Sequence, residues 1–367
     1  MEWSTTSYRT LALSSTLLGG LFLTWLAPSV LAWGCALGAA SLSFCAALSA
    51  WRFYRATADD DAAAKCLIER QPWPGRAAFG ANYVAKCAPA LFSGYLNRPE
   101  CAALRRWSPS FFATLGSGDE KGLACGRGNV EEQSGPTVKM EVQLRRLIAA
   151  WRGEDDADLL RGAYLKQFDV FRVFPQLWHD ADELRRAFPS ATVAQTFLWM
   201  GRGGESVTGV HNDDENNVLC QIQGRKRVLL WPPSTRALLR PNGKYDSGTE
   251  CCDANPLKED DACPAPLVAL LEPGDMLFIP IYWYHHVQSI AAEMPSSVSS
   301  SVGAVDVDAA INVSLNHFVS TPLEAATVGV WREIVEWLHY AGCYRSQSCV
   351  CHSHAEPPSL RRTLGFN

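Results

Sequence analysis

The sequence predicts a mainly β protein, a sandwich or barrel with flanking helices, behind an apolar N-terminal segment. Three observations carry this. Between residues 164 and 315, short runs rich in β-branched and aromatic residues alternate with Gly and Pro turns. Helical spacing of apolar residues marks two flanking stretches, 138–151 and 322–340. Residues 11–51 contain 41 consecutive positions without a charged side chain, against the ~20 apolar residues that one membrane crossing needs.

Residues 1–56 therefore read as transmembrane helices. Ala27-Pro28-Ser29 divides the apolar run, so it is either a helical hairpin or a signal peptide followed by one anchor. Arg9 precedes the run and Arg52 and Arg55 follow it. Positive charge at both ends places both ends, and with them the main domain, on the cytoplasmic side of a membrane. Residues 57–86 are a linker and entry segment, opened by Asp59, Asp60 and Asp61 and turned at Pro72-Trp73-Pro74-Gly75.

The main domain covers 87–320. Residues 116–135, rich in Gly and charge, read as a loop, and 138–151 as a helix. Strands are expected at 164–167, 196–200, 218–223, 227–231, 276–287 and 311–315, with turns at Gly224 and at Glu272-Pro273-Gly274-Asp275. Two insertions, 241–266 with Cys251, Cys252 and Cys263 and the Ser-rich 292–308, are expected to be mobile loops rimming a site. Residues 321–342 form a C-terminal helix. Its stripe Val330, Trp331, Ile334, Val335 and Leu338 reads as packing on the domain's own core, with a homodimer seam through 322–340 as the alternative. The tail 343–367 holds Cys349, Cys351, His352 and His354 and is expected to be disordered, with soft-metal binding as the alternative.

Composition narrows the chemistry. A net charge of −5 gives no basic signature, so bulk attraction to nucleic acid is not indicated. The 13 cysteines are scattered without a disulfide spacing and read as single thiols of a reducing compartment.

The chemistry concentrates in residues 208–231, which open T-G-V-H-N-D. His211 and Asp213 are two apart, which on a strand puts both side chains on one face. Two His and one carboxylate on one face of an octahedron leave three positions open, the arrangement of non-haem Fe(II) sites that take a 2-oxo acid and O2. The second histidine comes from Trp283-Tyr284-His285-His286-Val287. If 276–287 is one strand, His285 shares the more apolar face with Ile279, Ile281, Trp283 and Val287, and it is preferred to His286. Lys226 shares its face with Val228 and Leu230, while Arg225 and Arg227 point away. A lysine on an apolar face needs an anionic partner, and a ligand carboxylate meets that need. Thr208 can donate to the same carboxylate. Asn217 and Asn312 can bind the 2-oxo acid or orient the metal ligands.

At these residues the sequence resembles the JmjC-domain hydroxylases of the cupin superfamily. Within that family it resembles the small members, such as those that act on an asparagine of hypoxia-inducible factor or on wybutosine in tRNA. Residues 208–233 and 273–287 carry the resemblance, with weaker support at 164–167 and 311–313. It implies a double-stranded β-helix (the cupin jelly roll) and His211, Asp213 and His285 as iron ligands. Lys226, Thr208 and Tyr164 would hold the distal carboxylate of 2-oxoglutarate, with Asn217 and Asn312 nearby. It also implies Fe(II), 2-oxoglutarate and O2 as cofactors and hydroxylation of a C–H bond, with a protein side chain as the expected substrate. A tRNA substrate fits the resemblance but not the charge. The competing readings are a membrane-anchored cupin that binds without turnover and a metal-dependent cupin isomerase. Lys226 argues against the second of these.

Overall fold

A computed structural model describes residues 67–341 and 343, apart from 100, 117–118, 127–131, 135–138, 156–157, 182–191, 245–248 and 292–306, together with five helical residues between 41 and 48. The chain enters through β1 (Arg70–Gln71) and β2 (Ala90–Phe92), then builds β3 (Lys121–Cys125), β4 (Lys139–Gln143), β5 (Tyr164–Phe168) and β6 (Thr192–Arg202). Next come β7 (Val207–Asn212), β8 (Asn216–Gln223), β9 (Arg225–Trp231), β10 (Pro241–Asn242) and β11 (Glu250–Cys252). The last four are β12 (Leu267–Leu271), β13 (Met276–Ile279), β14 (Tyr284–Ile290) and β15 (Ile311–Ser320). They form a nine-stranded sheet, β1-β2-β13-β8-β15-β6-β5-β3-β4, and a six-stranded sheet, β10-β11-β7-β14-β9-β12.

Side-chain alternation sorts these strands into three packed zones. On the nine-stranded sheet, Leu165, Leu198, Met200, Val218, Cys220, Met276, Phe278, Val313 and Leu315 face outward. They join Leu144, Leu147, Ile148 and Trp151 of the helix Leu144–Arg152 in the largest apolar cluster. Between the sheets, Val228, Leu230, Ala269, Leu271, Leu277 and Ile279 form a smaller core. On the outer face of the six-stranded sheet, Leu229, Trp231, Leu239, Cys252 and Tyr284 pack together. The inward face of β15 is mostly polar, with Asn312, Ser314 and Asn316 buried on it. Much of the apolar burial thus lies outside the sandwich, which leaves its interior free for a polar site.

Several elements differ from expectation. Residues 276–287 are two strands in different sheets. Pro280 cannot donate to a ladder and Tyr282 takes φ 67°, so the chain turns a corner between β13 and β14. The stretch 138–151 begins as β4 and becomes helical only at Leu144, and the charged loop 116–135 contains β3. The insertion 241–266 contributes β10 and β11, and β11 extends the six-stranded sheet beside β7. Gly224, at φ 73°, makes the β8–β9 turn; a Cβ there would lie 2.6 Å from the side chain of Asn312.

The C-terminal segment starts at Thr321, whose hydroxyl and Glu324 form a capping box, and continues into the helix Val330–Tyr340. Arg332 bonds Glu215 at 3.0 Å, and Asn216 reaches Glu324 at 3.2 Å, so this segment is fastened to the loop after β7. The stripe Trp331, Ile334, Val335 and Leu338 is half-buried, while Val330 is exposed.

The expected transmembrane helices and the membrane localisation drawn from them are withdrawn. Among the described residues no helix is long and apolar enough to cross a membrane. Most of the 11–51 run, with the basic residues that were to orient it, lies outside the described residues, as does the tail beyond Cys343.

Candidate metal and co-substrate site

His211 on β7 stands directly opposite His285 on β14, and the two rings lie 4.2 Å apart between centroids. Asp213 follows β7 by one residue. One of its carboxylate oxygens lies 3.5 Å from His285 Nε2 and the other 4.0 Å from His211 Nε2. One ligand atom from each of the three residues falls within 4.8 Å of the others. The Nδ1 atoms are already engaged: His211 Nδ1 donates to the Gly209 carbonyl at 2.8 Å and His285 Nδ1 to the Trp283 carbonyl at 3.1 Å. That fixes both tautomers with the Nε2 lone pairs aimed at the shared point. Burial, reinforced by the neighbouring His211, pushes the His285 pKa down to about 4, so the ring is neutral and able to donate at neutral pH. The donor set fits a divalent metal with open coordination positions. His286 points to the opposite face of β14, where burial also lowers its pKa to about 4.

The site opens into a cavity of roughly 240 Å³ between the sheets. Lys226 also lines it, 1% exposed, with its ammonium 3.0 Å from the Tyr164 hydroxyl. Among the described residues no carboxylate pairs with it. Thr208 lines the same cavity on β7, beside β14, whose Ser289 is paired with Lys226. Among the described residues the Tyr164 hydroxyl is the hydrogen-bond partner of Lys226, and a buried ammonium so placed is chemically suited to an anion.

Asn217 also lines the cavity, and its amide donates to Asp213 at 3.2 Å. Asn312 does not reach the site. It sits nearer the other end of β15, where it accepts from Gln221 at 3.2 Å and packs against Gly224. Asn316, four residues along the same face, lines the cavity instead. Trp199 Nε1 donates to Asn316 at 2.7 Å, and Asn316 donates to Asn217 at 3.4 Å. Trp199, Asn316, Asn217 and Asp213 thus form one chain of bonds ending on the carboxylate. Ending the strand at Leu315 hid Asn316; its alternation with Asn312 and Ser314 was the available signal. Glu132 and Lys166, a buried pair 2.7 Å apart on the cavity wall, carried no sequence signal, because Glu132 lies in an unpatterned loop.

Residues 76–322 match the family described as a cupin-like domain. The chain belongs to the cupin-like family. Its resemblance to the JmjC branch is borne out by the relatives of this cupin-like chain. It is 24% identical over 313 residues, 79% of this chain and 72% of the relative, to the 2-oxoglutarate and iron-dependent oxygenase JMJD4 of Danio rerio. It is 27% identical over 184 residues, 44% and 42% of the two chains, to the lysine-specific demethylase JMJ30 of Arabidopsis thaliana. It is 36% identical over 113 residues, 30% and 11% of the two chains, to the tRNA wybutosine-synthesizing protein 4 of Aspergillus oryzae. The cupin-like chain thus spans less than half the length of the latter two. The expected mainly β cupin fold with added helices is the one observed.

Proposed function

We propose that the chain is an Fe(II)- and 2-oxoglutarate-dependent oxygenase that hydroxylates a C–H bond of a protein side chain, releasing succinate and CO2. Fe(II), 2-oxoglutarate and O2 are its cofactors. The observation that carries this reading is the placement of a buried ammonium, Lys226, that has no carboxylate partner among the described residues, in the same cavity as the His211, Asp213 and His285 cluster. A metal site alone suits many cupins. A metal site facing a fixed cation suits a ligand that chelates through one end and carries a carboxylate at the other.

In this reading His211, Asp213 and His285 hold the iron. Bound iron supplies a Lewis acid and the redox partner for O2, which couples decarboxylation of the 2-oxo acid to C–H oxidation. The chain's residues do the rest. Lys226, Tyr164 and Thr208 bind the distal carboxylate and so set the direction of the co-substrate. The Asn217–Asn316–Trp199 chain holds the rotamer of Asp213. Leu219, Ile279 and Val287 line the wall with apolar surface that keeps bulk water out.

Incubating the purified protein with Fe(II), ascorbate and 2-oxoglutarate should yield succinate, and His211→Ala should abolish it. If 2-oxoglutarate does not bind with iron present, the reading is wrong.

A further inference from the structure

The charged groups of the cavity divide into those that serve the metal and co-substrate and those that do not. Asp213 and Lys226 belong to the first set. What remains among the described lining residues is Glu132, Lys166 and Lys139. Glu132 is the only one of these three that could receive a cation, and the fold has already engaged it. One of its carboxylate oxygens accepts from Lys166 Nζ at 2.7 Å, and the other accepts from the Gly209 backbone N–H at 2.7 Å. Both members of the pair are nearly buried, at 6% and 9% side-chain exposure. The Glu132 backbone is also fixed: its carbonyl accepts from Asn242 at 3.0 Å, and the next carbonyl accepts from Lys244 at 2.8 Å. The carboxylate is therefore held in place with its charge already balanced by an internal ammonium.

We infer that the cavity selects an uncharged target side chain and rejects ammonium and guanidinium groups, because Lys166 pairs with Glu132, the one carboxylate among the described lining residues, apart from Asp213, that would otherwise receive a cation. The inference deepens the proposed function and rests on it, since it treats the cavity as the place where a target side chain meets the metal. A cation entering would leave bulk water for a site that, among the described residues, offers no uncompensated negative charge. Amide, alcohol or aliphatic groups incur no such penalty. Lysine, N-methyl-lysine and arginine are thereby excluded as targets. The chain carries its own cation at the place where a substrate cation would bind.

The test compares methylguanidinium and acetamide as probes, by equilibrium dialysis against the full chain loaded with Fe(II) and 2-oxoglutarate without oxygen. The wild type should bind methylguanidinium no better than acetamide. Lys166→Gln keeps an N–H donor for Glu132 but removes the charge; it should tighten methylguanidinium binding about tenfold or more. Lys166→Met provides a second variant should the first fail to fold. The gain should vanish in Lys166→Gln combined with Glu132→Gln. A wild-type preference for methylguanidinium overturns the inference, as does a Lys166 variant without the gain or a gain that survives the loss of the Glu132 carboxylate. Binding of 2-oxoglutarate, measured in the same samples, reports on the proposed function separately, so the two can fail independently.

Discussion

Replacing Lys226 by Met separates a carboxylate clamp from a structural lysine. The side chain is 1% exposed, and its ammonium meets only the Tyr164 hydroxyl among the described residues. In the free protein the substitution removes a poorly compensated buried charge. Exchanging buried ionic groups for apolar ones of similar volume is neutral or stabilising by about 1–4 kcal/mol. Against that, the Tyr164 hydroxyl loses its partner, at about 1–3 kcal/mol. The two terms nearly cancel, so the melting temperature of the free protein should hold or rise. Co-substrate binding should behave oppositely. Losing one partner of a buried charge pair costs about 2–5 kcal/mol, or ~30- to ~4000-fold in affinity. The assay is 2-oxoglutarate titration followed by thermal shift with Fe(II) present and oxygen excluded, alongside calorimetric titration of the metal. The wild type should gain stability with 2-oxoglutarate by mass action, and the variant should gain almost none. Metal affinity should stay near wild type. A drop in the melting temperature of the free variant, or equal losses of metal and 2-oxoglutarate binding, would refute the clamp.

Other expectations follow from the same geometry. Asn316→Ala breaks the bonded chain that ends on Asp213 and leaves Trp199 Nε1 without its acceptor, so metal affinity measured by calorimetry should fall about 10- to 100-fold, with a loss of stability of about 1–3 kcal/mol in denaturant unfolding. Gly224→Ala places a Cβ against Asn312 at a backbone angle that suits glycine, and denaturant unfolding should show a loss of about 1–3 kcal/mol. Asp308 is partly buried, which raises its pKa, but bonds from Arg152 and Ser110 outweigh that and leave it below the usual carboxylate range. A depressed carboxylate stabilises the fold above its unfolded pKa. Its contribution should therefore fade as pH falls below about 4, and Asp308→Asn should flatten that limb of the stability–pH curve.

Much of the site was legible because alternation on strands is a local property. His211, Lys226 and His285 were placed by asking which neighbours share a face, and the cavity gathers all three. The choice of His285 over His286 relied on one continuous strand from 276 to 287. The strand is broken, but the last stretch, from Tyr284, keeps its own alternation and gives the same side. Parity says which face a residue is on and nothing about how far along the strand it lies. Asn312 and Asn316 share a face, and only Asn316 stands beside the cavity. Glu132 lay beyond local reasoning altogether, since its partners Lys166 and Gly209 are 34 and 77 residues away. The apolar N-terminal run shows the opposite hazard: composition alone supplied a membrane assignment that no described helix supports.

The corner between β13 and β14 explains how the three candidate ligands, from two chain segments, are held together by the fold itself. Tyr282 N–H donates to the Asp213 carbonyl at 2.8 Å, and Ile281 N–H donates to the Asn216 side chain at 3.1 Å, so the corner grips the loop that carries the carboxylate. Two residues on, the Trp283 carbonyl orients the His285 ring, and Trp283 N–H closes the turn on the Pro280 carbonyl at 3.2 Å. Backbone groups thus fix the separation of Asp213 and His285 independently of the metal. The left-handed conformation at Tyr282 is a local cost of roughly 1–3 kcal/mol, and the surrounding bonds must hold it. Losing that left-handed conformation would move His285 and Asp213 apart. The strained residue and the site geometry are therefore one device, and a Tyr282→Gly change should ease the backbone without moving the ligands, whereas Tyr282→Val should loosen both.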